Sequence, residues 1–248
     1  MREKEWKLDL LGVETPYKQN FSQYRFWYAH IKKNSHKNDG DIFEFGIYKG
    51  KSLITAALIL KKFNSKKKIY GFDSFSGFPL ISKFDDLKQF QNKKYFSKDF
   101  QNEYKNFIKL KKNLTKKKYF TPKNISISSD FSDTSYDYIM EKIDYFKLNN
   151  IILIKGDFKK TVPLFFNQKK INISSCNIDC DLYDGYKITL PYVYKNLSKN
   201  GYIFLDEYYS LKFPGAKIAT DNFCKKIKIK PKKHKTRTLE FERYYLTK

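Results

Sequence analysis

Asp41-Ile42-Phe43-Glu44-Phe45-Gly46-Ile47-Tyr48-Lys49-Gly50-Lys51-Ser52 opens the stretch that decides the fold. Its first five residues read as a short buried strand and 46–50 as a glycine turn. Ser52 is placed to cap a helix carrying Leu53, Ile54, Ala57, Leu58, Leu60 and Phe63. Lys68-Ile69-Tyr70-Gly71-Phe72 follows as a second strand, ending at Asp73. Strand, glycine turn, helix and strand in that order make a βαβ unit, which requires a parallel pair with a right-handed crossover.

The same alternation extends in both directions. Upstream, residues 22–33 carry Tyr24, Phe26, Trp27 and Ile31 at helical spacing, so residues 1–40 form a helical N-terminal segment. Downstream, residues 82–123 lose the pattern and read as a polar, lysine- and aromatic-rich insertion over the sheet, with one helix around 99–112. Regularity resumes with a helix over 136–146 and the apolar strand Ile151-Ile152-Leu153-Ile154, ending at Gly156-Asp157. Helices over 159–166 and 186–197 precede strands ending at Asp179 and Asp206. A helix over 215–224 and two strands, 226–230 and 239–246, complete the chain. Seven strands with intervening helices predict an α/β doubly wound sheet in one domain spanning 1–248.

Composition narrows the function classes. The 248 residues include 50 Lys+Arg against 26 Asp+Glu, a net charge of +24. Nearly all of the excess is lysine, since the arginines are Arg2, Arg25, Arg237 and Arg243. Nucleic-acid interfaces lean on arginine for bidentate contacts, so scattered lysine reads as solvated surface and argues against a nucleic-acid partner. No apolar run is long enough to span a membrane, and the charged opening Met1-Arg2-Glu3-Lys4-Glu5-Trp6 lacks the core of a secretory signal. Cys176, Cys180 and Cys224 are odd in number and lack metal-site spacing. Reduced thiols in a cytoplasmic protein are the expectation.

Two strands end in paired acids: Asn177-Ile178-Asp179-Cys180-Asp181 and Ile203-Phe204-Leu205-Asp206-Glu207. Parallel neighbours would bring those ends to about 5 Å, where carboxylates repel unless a cation or proton lies between them. Oxygen-only ligands with no histidine nearby favour Mg²⁺ or another hard divalent cation. Asp184 reads as the cap of the following helix. The first glycine turn matches neither a dinucleotide fingerprint nor a P-loop. It suits a nucleoside bearing an amino acid, with Glu44 facing an ammonium group and Asp73 facing ribose hydroxyls. S-adenosylmethionine has that form. His30, His36 and His234 are scattered, although His30 is within reach of an acceptor.

The segments 44–52, Phe72-Asp73-Ser74-Phe75-Ser76-Gly77-Phe78-Pro79, Asp179-Cys180-Asp181-Leu182-Tyr183 and Leu205-Asp206-Glu207-Tyr208 resemble the macrocin O-methyltransferase family. Phe213-Pro214-Gly215-Ala216 through Asp221-Asn222-Phe223 extends the resemblance, which covers most of 41–223. It implies a Rossmann-like methyltransferase sheet, mostly parallel with an antiparallel last strand. It also implies an S-adenosylmethionine- and metal-dependent enzyme acting on sugar hydroxyls of a small molecule or glycan. Carried over by position, Glu44, Gly46, Gly50, Ser52, Asp73, Ser74, Gly156 and Asp157 would bind the methyl donor. Asp179, Asp206 and Glu207 would hold the metal, and Asp181 would be the base, with Asp179 also counted as catalytic. Three departures stand out: Glu207 where the family usually has Asp, Asp157 in place of an aromatic residue, and a longer insertion. The readings set beside this one are a metal-dependent glycosyltransferase, from the D-x-D at 179–181, and a basic RNA- or anionic-glycan-binding protein. Oligomeric state is left open.

Overall fold

The computed structural model describes residues 5–37, 39–238 and 240–248; residues 1–4 and Leu239, the first residue of the expected last strand, lie outside them. The strands are β1 Asp41–Phe45, β2 Ile69–Asp73, β3 Ile151–Lys155, β4 Ile173–Ile178, β5 Leu197–Leu205, β6 Lys232–Lys233 and β7 Tyr244–Thr247. They form one sheet in the order β3-β2-β1-β4-β5-β7-β6. β1 to β5 are parallel, while β7 runs antiparallel to both β5 and β6. Strand order reverses between β1 and β4, and ligands in such sheets bind beyond the strand C-termini at that point. The expected seven-stranded α/β sheet is thus present. Its last two strands are shorter than expected: 226–230 only closes a helix and turns, and pairing begins at Lys232.

Alternation along the central strands builds two cores. Phe43, Phe45, Phe72 and Ile178 face one side, where they meet α7 (Phe158–Gln168), α8 (Tyr183–Asn196) and α9 (Pro214–Lys226). Ile42, Ile69 and Phe204 face the other, against α2 (Arg25–Asn34), α3 (Lys51–Lys62) and α6 (Tyr136–Tyr145). A short helix, α1 (Glu5–Leu10), precedes these. Glu44 alternates with Phe43 and Phe45, so it is forced onto the α3 side and fully buried.

The insertion extends the first of these cores. Two 3-10 turns, α4 (Lys98–Thr115) and α5 (Pro122–Ile125), gather Phe90, Phe96, Phe100 and Tyr104 into one aromatic cluster. Phe90 and Tyr104 lie 4.3 Å apart between ring centres. No helix among the described residues is long and apolar enough to cross a membrane.

Two expected caps are corrected. Ser52 does not cap α3: Gly50 holds that place with φ +77°, and the Ser52 hydroxyl turns inward to Glu44. Asp184 does not cap α8 either, because it pairs with Lys159 at 2.9 Å. The α8 N-terminus is capped from the insertion. Asp85, buried, accepts the Tyr183 N–H at 2.7 Å through Oδ1 and the Ser82 N–H at 3.1 Å through Oδ2. A side chain at Gly215 would collide with that carboxylate, so α9 can start there only as glycine. Asp85 therefore ties the insertion to two core helices. Loss of a cap of this kind costs about 1–2 kcal/mol. Asp85→Ala should lower the calorimetric unfolding midpoint by several degrees; an unchanged midpoint would show that the insertion is not anchored through this carboxylate.

Candidate active site

Register puts the acids together. Ile178 of β4 is paired with Leu205 of β5, so the residues that follow, Asp179 and Asp206, leave the sheet side by side. Glu207 comes next. One carboxylate oxygen from each of Asp179, Asp206 and Glu207 lies within 4.8 Å of the other two. Asp179 and Asp206 keep an edge on an open cavity, while Glu207 is buried. Tyr186 supports the group from beneath, its hydroxyl 2.7 Å from Glu207 Oε2 and also 2.7 Å from the Ile178 carbonyl oxygen.

Crowded, buried negative charge is costly, and the carboxyls show it. Burial and then Asp206 push Asp179 up to about 7. Burial, followed by Asp179, raises Glu207 well above the usual carboxylate range. Asp206 Oδ1 is buried and accepts no hydrogen bond; the Arg243 guanidinium stands 3.6 Å away. An unsatisfied buried oxygen beside two acids short of positive charge fits a hard divalent cation bound by oxygen.

Asp181 lies in the same wall, buried, with its backbone strained. It is the centre of a three-residue turn closed by the Leu182 N–H on the Cys180 carbonyl at 2.5 Å, and its φ is +59°. Such a conformation costs on the order of 1–3 kcal/mol and tends to be kept where function requires it. Burial, with Asp179 next, raises its carboxyl well above the usual range.

At the β1–β4 switch point the cavity floor is the glycine turn. Asp73 braces it: Oδ2 accepts the N–H groups of Ile47 at 2.6 Å and Tyr48 at 3.0 Å, and Oδ1 accepts that of Phe75 at 2.7 Å. Gly46 has φ +90°, and a Cβ there would run into the Asp179 carbonyl. The turn and the acid strand are therefore in backbone contact. Ser74, with its hydroxyl donating to Gly77 O, and Gly156, whose N–H bonds the Asp73 carbonyl, complete this wall. Asp157 lies beside them, where its side chain caps α7 through the Lys159 N–H at 2.9 Å.

The cavity measures about 1050 Å³. Its walls include Gly46, Ser52, Asp73, Ser74, Gly156, Asp157, Asp179, Asp181, Asp206 and Glu207. Two donor-site candidates are not on its surface. Gly50 is buried at the head of α3. Glu44 lies beneath the floor, where Oε1 accepts from Ser52 at 2.5 Å and from Asn177 at 2.8 Å, and burial raises its carboxyl to about 8. Its Oε2 is buried without a hydrogen-bond partner, and Glu44 does not line the cavity. His30 is also excluded; it stacks on Tyr202 with ring centres 4.8 Å apart, away from the cavity.

Several wall residues carry no local sequence signal. Tyr24 at the head of α2 donates its hydroxyl to Asp179 Oδ2 at 2.6 Å, and Gln23 reaches Asp206 at 3.4 Å. Phe107 and Lys111 of α4, Lys212 after β5, and Phe241 and Arg243 before β7 close the opposite side.

The family model of the macrocin-O-methyltransferases (TylF) matches residues 123–236. The resemblance read from the sequence holds. The matched stretch contains all four acids and ends before the last strand. Among solved structures, the O-methyltransferase NovP superposes with a TM-score of 0.61 at 18% identity, over 90% of this chain and 76% of that one. The calicheamicin methyltransferase CalS11 gives 0.62 at 18% identity, over 100% and 94%. An O-methyltransferase from Bacillus cereus in complex with SAH gives 0.55 at 11% identity, over 100% and 93%. No curated protein matches by sequence. The fold is that of the O-methyltransferases.

The acid cluster has a consequence for stability. Asp179 and Glu44 keep protons in the folded chain to about 7 and 8 that the unfolded chain releases near its ordinary carboxylate values. Folding stability must therefore fall as pH rises through that range. His30 and His234, lowered to about 4 by burial, act in the opposite sense and only below about 6.5. In a chelating buffer the unfolding midpoint should drop between pH 6.5 and 8.5, and Asp179→Asn should flatten the slope. A level profile in the unaltered protein would contradict this electrostatic description.

Proposed function

We propose that the protein is an S-adenosylmethionine-dependent O-methyltransferase that methylates a sugar hydroxyl with the help of a divalent cation. One observation carries the reading: a single cavity joins the Asp73-braced glycine turn to the buried acid cluster, with only main chain between them. The structural neighbours support it, since one is described as a TDP-rhamnose 3'-O-methyltransferase and another was solved with SAH.

Bound S-adenosylmethionine supplies an electrophilic methyl group on a sulfonium. Asp179, Asp206 and Glu207 would hold a divalent cation, whose positive charge would favour ionisation of a hydroxyl, otherwise a weak nucleophile at neutral pH. The chain's own residues do the rest. Asp73 keeps the turn in shape, and Oδ1, which accepts one N–H where Oδ2 accepts two, retains a further lone pair for a ribose hydroxyl. Gly46 lets the donor side approach the acid side without a side chain between them. Asp181 takes the acceptor's proton. Burial and then the charge of Asp179 raise its carboxyl, and positive charge nearby would lower it and favour the basic form. Tyr24 and Tyr186 fix Asp179 and Glu207 in place.

No observation favours the glycosyltransferase reading. Asp179 and Asp181 are separated in role by the turn that closes at Leu182, and the first of them faces Asp206 and Glu207.

Isothermal titration with S-adenosylhomocysteine should show saturable, one-site binding. Asp73→Ala should weaken it roughly tenfold or more, the loss of hydrogen bonds to a charged group. Asp179→Asn should leave it nearly intact while abolishing methyl transfer from a radiolabelled donor. Absence of S-adenosylhomocysteine binding would defeat the proposal; full turnover in EDTA would defeat its metal component.

A further inference from the structure

Five lysines line the cavity: Lys49, Lys51, Lys111, Lys159 and Lys212. Three are already neutralised. Lys49 pairs with Asp133 at 2.5 Å, Lys51 with Glu14 at 3.0 Å and Lys159 with Asp184 at 2.9 Å. All three stand around the glycine turn and α7, the side assigned to the methyl donor, which carries its own positive sulfonium.

Lys111 and Lys212 have no such partner. Among the described residues, neither ammonium group has a carboxylate within ion-pair distance or a hydrogen bond. Both are half-buried on the cavity wall rather than extended into solvent. Each lies against aromatic rings: Lys111 Nζ is 5.6 Å from the centre of Phe120 and 6.0 Å from that of Phe107, and Lys212 Nζ is 5.6 Å from that of Phe213. They come from different segments, Lys111 from α4 of the insertion and Lys212 from the loop after the acids. Burial, and then the charge of Lys212, lowers the Lys111 ammonium. Holding two cations unpaired near one another is unfavourable unless an anion joins them.

The acids do not fill that role. They are already crowded with one another, and although the charge of Lys212 acts on Asp179 and Asp181, neither lysine reaches an acid at ion-pair distance. The cavity wall thus carries, besides the acids, two lysines with no carboxylate at ion-pair distance among the described residues. We propose that Lys111 and Lys212 form an anion clamp, selecting an acceptor that carries a phosphate or carboxylate group beside the hydroxyl to be methylated. This rests on the methyltransferase reading above and adds the acceptor's chemical class to it. Neutral glycosides would lack the group that the two lysines are positioned to hold.

The test uses the full chain saturated with S-adenosylhomocysteine, at physiological salt and without added metal, titrated separately with inorganic phosphate, inorganic pyrophosphate and glucuronate. At least one anion should bind saturably at one site per chain, and Lys111→Met/Lys212→Met should weaken it by about tenfold or more. Lys105→Met/Lys109→Met, which removes the same charge from the exposed face of α4, should leave it unchanged. Tighter binding of phosphate or pyrophosphate assigns a phosphorylated acceptor, and tighter binding of glucuronate a uronate-type one. The proposal is overturned if none of the three binds saturably, or if the clamp and control variants behave alike. S-adenosylhomocysteine affinity, measured on each variant, separates this from failure of the donor site. If that ligand binds and the anions do not, only the clamp is lost.

Discussion

Mutual repulsion among buried carboxylates at the ends of β4 and β5 is the constraint on which the rest of the structure depends. Parallel pairing of Ile178 with Leu205 forces Asp179, Asp206 and Glu207 into a space where one oxygen from each lies within 4.8 Å of the others. A fold would not gather such charge for stability, since each acid is raised or left unsatisfied by its neighbours. What surrounds the cluster holds it in place: Tyr24 from the N-terminal segment, Tyr186 from α8, and Arg243 before the final strand. Three distant parts of the chain are committed to keeping this arrangement. That investment is typical of sites that bind a cation or do chemistry.

The framework was legible where local pattern decides structure. β1 is a short run of apolar residues broken by Glu44, set between turn signals, and its bounds in the structure are those read from the sequence. Neighbouring strand ends were legible too, because topology places the acids at one edge whatever the side chains do. Glu44 was misread for a reason its own strand contains. It sits one residue before the end of β1, on the face that Ile42 shares, so alternation buries it against α3. Asp73, by contrast, is the last residue of β2 and emerges at the cavity.

Contacts across long sequence separation were not legible. Tyr24 meets Asp179 across 155 positions, and Asp85 caps α8 across 98. The capping rule pointed to Asp184, a local acid, yet Lys159 claims that carboxylate and a buried acid from the insertion takes its place. The insertion itself read as loose polar sequence because its apolar residues are spaced by lysines. Folded, those lysines other than Lys111 point outward while Phe90, Phe96, Phe100 and Tyr104 close inward. Compositional bias hid part of a core.

Charge also explains the make-up of the cavity wall. The acids are short of positive charge, Lys49, Lys51 and Lys159 are paired with carboxylates, and Lys111 and Lys212 are not, among the described residues. Each of these follows from the same electrostatic demand, that buried charge must find its complement. The demand is sharpest at the acids, so the most direct measurement is a Mn²⁺ titration followed by electron paramagnetic resonance on the S-adenosylhomocysteine-loaded protein. The account requires one Mn²⁺ per chain, lost in both Asp179→Asn and Glu207→Gln. Free Mn²⁺ signal undiminished by the protein, or stoichiometric binding that survives both substitutions, would contradict it.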